Sequence, residues 1–358
     1  MSKTAEFSPD WVSAPGRTVS ELLRHQRLSP AEFAKCTCLQ LSDVQDLLTG
    51  QLPITLEIAE RLQNSVGGSL EFWLARDFQY REDSERLFSM SKDWVRQLPI
   101  SDMRRFGWLK EASTPANEAK ICLNYFNVSS VDEWHEKYDY LAEAVLFRKT
   151  ENFESRPAAV AAWLRQGEIE ALKQKTKVWN PVQFEKVLHQ ARKLTREKDP
   201  SVFLPALQEL CIDCGVALVI IRTPSGCPAS GATQFFNQHK AMLLLSFRHL
   251  TDDHFWFSFF HEAAHLLLHH PERFVVEGVG DSSAKKEIEA NEFAESLIVP
   301  RENRDELLQL TSNSFDIIRF AKKVGVGPGL IVGQLQHHKI LSYNQQNRLK
   351  RRFEWPQN

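Results

Sequence analysis

Six cysteines are spread thinly over 358 residues. A disulfide-stapled scaffold needs a shorter, denser chain, so that class is excluded. The one close pair, Cys211 and Cys214, has no second CxxC nearby. A zinc ribbon is therefore not expected, and the two read as buried helical thiols. Charge of one sign is lacking too: 44 Lys and Arg face 46 Asp and Glu, a net charge of −2. No global field draws the chain to nucleic acid or membrane, and such a contact would need a local patch. There is no apolar run of the roughly 18 residues that a transmembrane helix needs. The opening MSKTAEFSPDW has no basic-then-apolar leader pattern. The expected compartment is the cytoplasm, with no membrane partner. There is no internal repeat and no low-complexity tract.

What is present fits two or three domains with real cores: 42% of residues are hydrophobic and 25% charged. The pattern predicts a mostly α chain with a small β-sheet, an α+β arrangement, in three regions. Residues 1–82 read as a bundle of short helices. SPAEFAK starts like a capped helix, with Ser29 as N-cap, Pro30 in the first turn and Glu32 at the third position. LSDVQDLLTG stops on Gly50. Residues 83–200 show apolar spacing of three to four throughout and read as a helical middle region. The texture changes in 201–358, where VALVIIR, ATQFF and KAMLLLS read as strands. Helices then follow, broken by GVGPG at 325–329. The basic RLKRR at 348–352 reads as a solvated helix face. His337 and His338 read as surface or supporting groups.

The segment FWFSFFHEAAHLLLHH, from Phe255, is almost wholly apolar yet carries His261, Glu262 and His265. Two histidines four apart lie on one face of a helix, about 6 Å apart in rise, and both can reach one metal ion. Glu262, next in sequence, is turned around the helix and can serve as general base toward water activated at that metal. The apolar flank anchors the helix and lowers the local dielectric. His269, two turns beyond His261, is too far along a straight helix to share the ion. A third ligand must come from elsewhere. The helix KKEIEANEFAESLIV offers Glu287, Glu289 and Glu292. Ala290, Phe293, Ala294 and Leu297 mark its apolar face, which places Glu287 toward the histidines and Glu289 elsewhere. Asn291, one turn beyond Glu287, is placed to orient a ligand by a hydrogen bond.

SGATQFF, LLLSFR, TDDHFWFSFFHEAAHLLLHH and EIEANEFAESLIVP, in that order, resemble the ImmA/IrrE family of zinc metallopeptidases. FAKKVGVGPGLIVGQLQHHKIL is similar to the tail of its longer members. The resemblance implies a zincin fold and a Zn²⁺ ion held by His261, His265 and Glu287. It implies site-limited cleavage of a protein substrate, a transcriptional repressor, under stress or on induction of mobile elements. In such folds an edge strand holds an extended peptide by strand addition. The expected edge is Ser230–Phe236, with Ser230, Gly231, Ala232 and Thr233 as substrate-binding residues.

Residues 15–80 resemble an Xre-type helix-turn-helix of the HigA antitoxin branch, on APGRTVSELL, GQLPIT and EFWL. That family binds DNA, and Gln40, Ser42 and Gln45 are the residues able to read bases. The expected recognition helix, Leu41–Leu48, nonetheless has Asp43 and Asp46 and no Lys or Arg, and residues 1–80 hold seven Lys or Arg against ten Asp or Glu. Phosphate contacts dominate such affinity. DNA binding therefore stays open beside a role in homodimerisation or partner docking. At the level of the chain, a regulatory zinc endopeptidase stands beside a non-enzymatic regulator or antitoxin that uses the zincin fold for sensing. Glu262, which a silent module does not need, favours the enzyme.

Overall fold

The computed structural model describes residues 13–112, 115–146, 156–248, 250–269, 275–276 and 284–354. The opening stretch MSKTAEFSPDW lies outside them. The chain is mostly helical with one small sheet, as expected. It forms two compact units. The first is built on the residues before 97, with 112–123 and 128–133; the second on 97–111, 124–127 and 134 onward.

The first unit begins with α1 (Pro15–His25), α2 (Pro30–Thr37), α3 (Leu41–Thr49) and α4 (Leu56–Val66). The caps are those the sequence signals. Ser29 Oγ accepts the Glu32 N–H while Glu32 Oε2 accepts the Ser29 N–H at 2.8 Å. Gly50, at φ 79°, ends α3. A short turn at 38–40 joins α2 to α3, with Cys38 in the left-handed region. The helices close over Val19, Phe33, Val44, Leu47, Leu62 and Trp73. Gln40, Ser42, Gln45 and Asp46 stand exposed along the start and outer face of α3. α5 (Leu70–Gln97) is one helix of 28 residues, so the boundary expected at 82/83 falls inside it. α6 (Ile100–Arg105), α7 (Pro115–Phe126) and α8 (Val131–Leu146) follow.

The second unit is layered. α9 (Pro157–Lys173), α10 (Pro181–Leu194) and α11 (Pro200–Ile212) lead into β1 (Val216–Ile220), β2 (Gly231–Asn237) and β3 (Lys240–Leu245). Then come α12 (Asp252–Leu268), β4 (Val275–Val276) and α13 (Ala284–Ile298). α14 (Arg304–Leu308), α15 (Ser314–Val324) and α16 (Pro328–His337) end the helical part. The strand order is β1-β3-β2-β4, with β1 parallel to β3 and the other pairs antiparallel. Successive strand residues face opposite sides. Leu243 and Leu245 join the core that holds Trp256, Phe259 and Phe260 of α12. Leu244 points the other way and meets α9 at Gly167, where an added Cβ would lie 2.5 Å from its Cδ2. Burial on both faces explains why β1 and β3 read as unbroken apolar runs rather than alternating ones. Cys211 and Cys214 are buried free thiols, as expected, and burial pushes the Cys214 thiol up to about 11.

The tail differs from expectation. After α16 the chain is irregular apart from a 3-10 turn at Asn347–Leu349, and RLKRR is not a solvated helix face. Lys350, with its side chain 10% exposed, reaches Asp253 Oδ2 at 2.6 Å and Gln336 Oε1 at 2.7 Å. The Arg351 N–H donates to Asp252 Oδ1 at 3.0 Å. Phe353 packs among Phe203, Phe247 and Phe255. The reason is the acidic pair Asp252–Asp253, buried at the start of α12. Burial of that pair calls for donors, and the basic tail brings them.

Burial, reinforced by the adjacent Asp253, pushes the Asp252 carboxyl up to about 6 against the hydrogen bond from Arg351. A folded-state value above the unfolded one means that stability falls as pH rises through about 6. Asp252→Asn keeps the accepting Oδ1 and cannot ionise. We expect it to be more stable than the wild type at pH 7.5, by about 1–2 kcal/mol, with the gap closing toward pH 4. Thermal unfolding at both pH values checks this; a gap independent of pH would assign it to packing.

Candidate metal centre

α12 is buried on nearly every side, which is why its sequence is apolar all round and why its polar residues stand out. One face carries His261 and His265 toward α13. The neighbouring face carries Glu262, 0% exposed, toward β2. Contact with β2 is direct: a Cβ added at Gly231 would lie 2.5 Å from Glu262 Cγ and Oε1. Only glycine lets the strand pass there. Gly231 therefore holds the carboxylate by leaving it room.

The imidazoles of His261 and His265 approach Nε2 to Nε2 at 3.1 Å. Glu287, from the first turn of α13, sets Oε2 at 3.4 Å from His261 Nε2 and Oε1 at 3.6 Å from His265 Nε2. Ligand atoms about 2.1 Å from a tetrahedral zinc-sized ion lie about 3.4 Å from one another, so these three spacings match the edges of such a site. Glu289 is not one of these three; its carboxylate meets His269.

The far sides of the rings decide where the protons are. Asn291 Oδ1, which can only accept, lies 2.9 Å from His261 Nδ1, so that nitrogen carries the hydrogen. The hydrogen bond expected of Asn291 is thus in place. His269 contributes what the sequence reading missed. Its Nε2 lies 3.0 Å from Glu289 Oε2 and its Nδ1 lies 3.1 Å from His265 Nδ1. The carboxylate only accepts, so His269 donates from Nε2. With its one proton on Nε2, the His269 ring accepts the Nδ1–H of His265 on Nδ1. Both metal-side nitrogens are left as bare lone pairs facing each other and a carboxylate. Such an arrangement repels itself unless a cation sits between, and the residues present fit a divalent metal ion. Burial, then His261, pushes His265 down to about 4, which keeps it an unprotonated ligand at neutral pH. The hydrogen bond from His269 lowers Glu289, favouring its carboxylate form. The missed signal was the third histidine of the stripe paired with the second glutamate of EIE. Distance along the helix excluded His269 as a ligand and left unasked what holds a ligand in place.

The expected substrate residues are only partly available. Ala232 and Thr233 are fully buried and paired on both sides, Ala232 opposite Val276 and Thr233 opposite Val275. The expected edge at Ser230–Phe236 is therefore covered in its middle by β4, which is too short to show a strand periodicity in sequence. Ser230 is half-buried and lines a narrow cleft with His254 and Ser258 of α12. His337 and His338 do not reach the triad; both approach Glu295, at 3.5 and 3.7 Å. A cavity of about 540 Å³ lies along the first turns of α12, lined by His254, Phe257, Gln334, His337 and Lys350 among others. The Phe257 ring stacks on His261 at 6.1 Å between centroids.

Residues 217–352 match the sequence profile of the IrrE N-terminal-like domain, the M78 family of peptidases. The match spans β1 through the clasped tail and contains every residue of the triad. No curated protein matches the chain. The C-terminal part of the chain is thus similar to a metallopeptidase domain. Among the described residues no helix is long and apolar enough to cross a membrane.

We expect Glu287→Gln to weaken metal binding by more than about 100-fold, and Glu289→Gln by about tenfold, as for a partner that orients a ligand. Chelator competition measures both. In the metal-free Glu289→Gln protein, the nitrogen-15 shifts of His265 should also show loss of the Nδ1–H tautomer. A larger loss at Glu289 than at Glu287 would reverse their roles. Gly231→Ala should bind metal within about threefold of wild type yet displace Glu262; a crystal structure of the variant with Glu262 unmoved would refute the close-approach argument.

Proposed function

We propose that this chain is a zinc-dependent endopeptidase that cleaves a regulatory protein, a transcriptional repressor. The observation that carries the reading is the convergence of three proton-free donors with Glu262 buried beside them on the face turned to β2. Zinc is favoured over other divalent ions by the two imidazoles and one carboxylate with matched spacing. His261, His265 and Glu287 would hold it. When bound there, it supplies Lewis-acid chemistry, polarising a carbonyl and acidifying water.

The protein's own residues do the rest. Glu262 takes a proton from the attacking water and passes it to the leaving amine. Glu262 is fully buried against β2, which keeps its carboxylate out of bulk solvent. Asn291 and His269 hold the two imidazoles in register. β2 runs directly beside the Glu262 carboxylate, so it is the strand along which an extended peptide would lie. A repressor as substrate is supported by the resemblance to repressor-cleaving peptidases and by the repressor-like α2–α3 arrangement in the same chain. For that N-terminal bundle we favour a protein partner or a second copy over DNA, because α3 carries Asp43 and Asp46 and no Lys or Arg.

The test is Glu262→Gln. It should retain stoichiometric zinc by elemental analysis and lose turnover of a peptide library by about 10³-fold or more. A wild type that takes up no zinc, or whose cleavage survives the substitution, would defeat the reading.

A further inference from the structure

The cavity of about 540 Å³ beside the first turns of α12 has α16 as a second wall. Gln334 of α16 is only 4% exposed. Among the described residues no hydrogen-bond partner meets its side-chain amide, and the residue borders the cavity. Gln336, two positions on, shows what a glutamine with a structural task does in the same wall. Its Nε2 donates to the Tyr343 and Gln345 carbonyls and to Asn347 Oδ1, and its Oε1 accepts from Lys350 Nζ. Gln334 makes no such contact. A buried amide left unpaired costs stability, and a guest in the cavity that pairs it recovers that cost.

The rest of the buried lining is apolar or already neutralised. Ile298 and Leu330 are buried, and Phe257 is half-buried. Asp253 and Lys350 are paired with each other at 2.6 Å, so together they present little net charge. His254, His337 and Arg352 are exposed and belong to the outer rim. A matching guest therefore has an apolar body and one neutral polar tip.

The cavity adjoins the metal centre. Phe257 is one of its walls and is also the ring that stacks on His261, at 6.1 Å between centroids. Along α12 the step from Phe257 to His261 is about 6 Å, which an extended peptide covers in about two residues. A polypeptide with its scissile bond at the triad thus reaches the cavity with a side chain about two positions from the cut.

We infer that this cavity is a specificity pocket of the peptidase, which takes a tyrosine side chain of the polypeptide substrate and hydrogen-bonds its phenol through Gln334. The inference rests on the peptidase reading above and names a feature of the substrate. A phenol both donates and accepts, as a carboxamide does. Its ring suits the walls of Phe257, Ile298 and Leu330. Phenylalanine would fill the same space and leave the amide unpaired. Lys, Arg, Asp or Glu would bring a charge that the buried lining does not balance.

The experiment uses the full chain as the zinc-loaded Glu262→Gln protein. The probes are three pools of fluorescent octapeptides with Tyr, Phe or Lys at one central position and non-aromatic residues randomised elsewhere. The Tyr pool should bind about tenfold more tightly than the Phe pool, with the Lys pool weakest; this comparison needs no further variant to fold. Adding Gln334→Leu should bring Tyr and Phe within about twofold of each other, chiefly by weakening Tyr. Chelating the zinc should leave the Tyr-to-Phe ratio unchanged, because the phenol meets Gln334 and not the metal. In the zinc-loaded wild type, mass spectrometry of the products should place the cut within about two residues of the tyrosine. Equal binding of Tyr and Phe, tighter binding of Lys, a preference that survives Gln334→Leu or vanishes with the zinc, or a more distant cut overturns the proposal. Hydrolysis of the three pools alike removes this pocket and leaves the peptidase. Tyrosine preference without hydrolysis by the zinc-loaded wild type removes the peptidase and leaves tyrosine recognition.

Discussion

Two imidazole nitrogens stand 3.1 Å apart with their lone pairs turned toward each other, and the surrounding structure follows from holding them there. Left alone, the rings would rotate or share a proton. They are prevented from the far side, by Asn291 on one and by His269 backed by Glu289 on the other. Glu287, Glu289 and Asn291 all come from two turns of α13. Packing α13 on α12 through Ala290 and Ala294, both fully buried, thus delivers a ligand and both orienting partners in one step. Small residues at that contact let the helices approach closely enough for short carboxylates and amides to span the gap.

The constraint on the other side of α12 is steric. Glu262 must be close to the donors yet separate from them, and one helical residue of rotation provides that separation. The same rotation drives its carboxylate into β2, where Gly231 makes room. β3 and β1 hold β2 in register, and both are buried on two faces between α9 and the α12 core. The sheet therefore contributes little chemistry itself. It fixes the distance between a strand and a carboxylate.

Much of this was legible in the sequence. Periodicity places α12 and α13, the i,i+4 spacing pairs the histidines, and helix phase selects Glu287 over Glu289. Those features are local, set within one or two turns of one element. What escaped reading depends on pairs distant in sequence. His269 and Glu289 are joined across two helices, and neither has a distinctive neighbour. β4 is two valines long, too short for alternation to register. Lys350 and Arg351 read as solvated because a basic run on its own says nothing of the buried acids, about a hundred positions earlier, that it meets. The length of α5 was missed because a charged helix continuing past a domain-like bundle shows no break in pattern.

The clasp between the tail and the start of α12 also sets an order of assembly. Asp252 and Asp253 are synthesised long before the residues that satisfy them, and Phe353 closes the aromatic cluster over the same end of the helix. A chain synthesised only as far as residue 349 already has the histidines and glutamates of the site. Its metal helix, however, begins at two buried acids that lack their donors. The packing at the start of α12 is therefore completed by residues made about a hundred positions later.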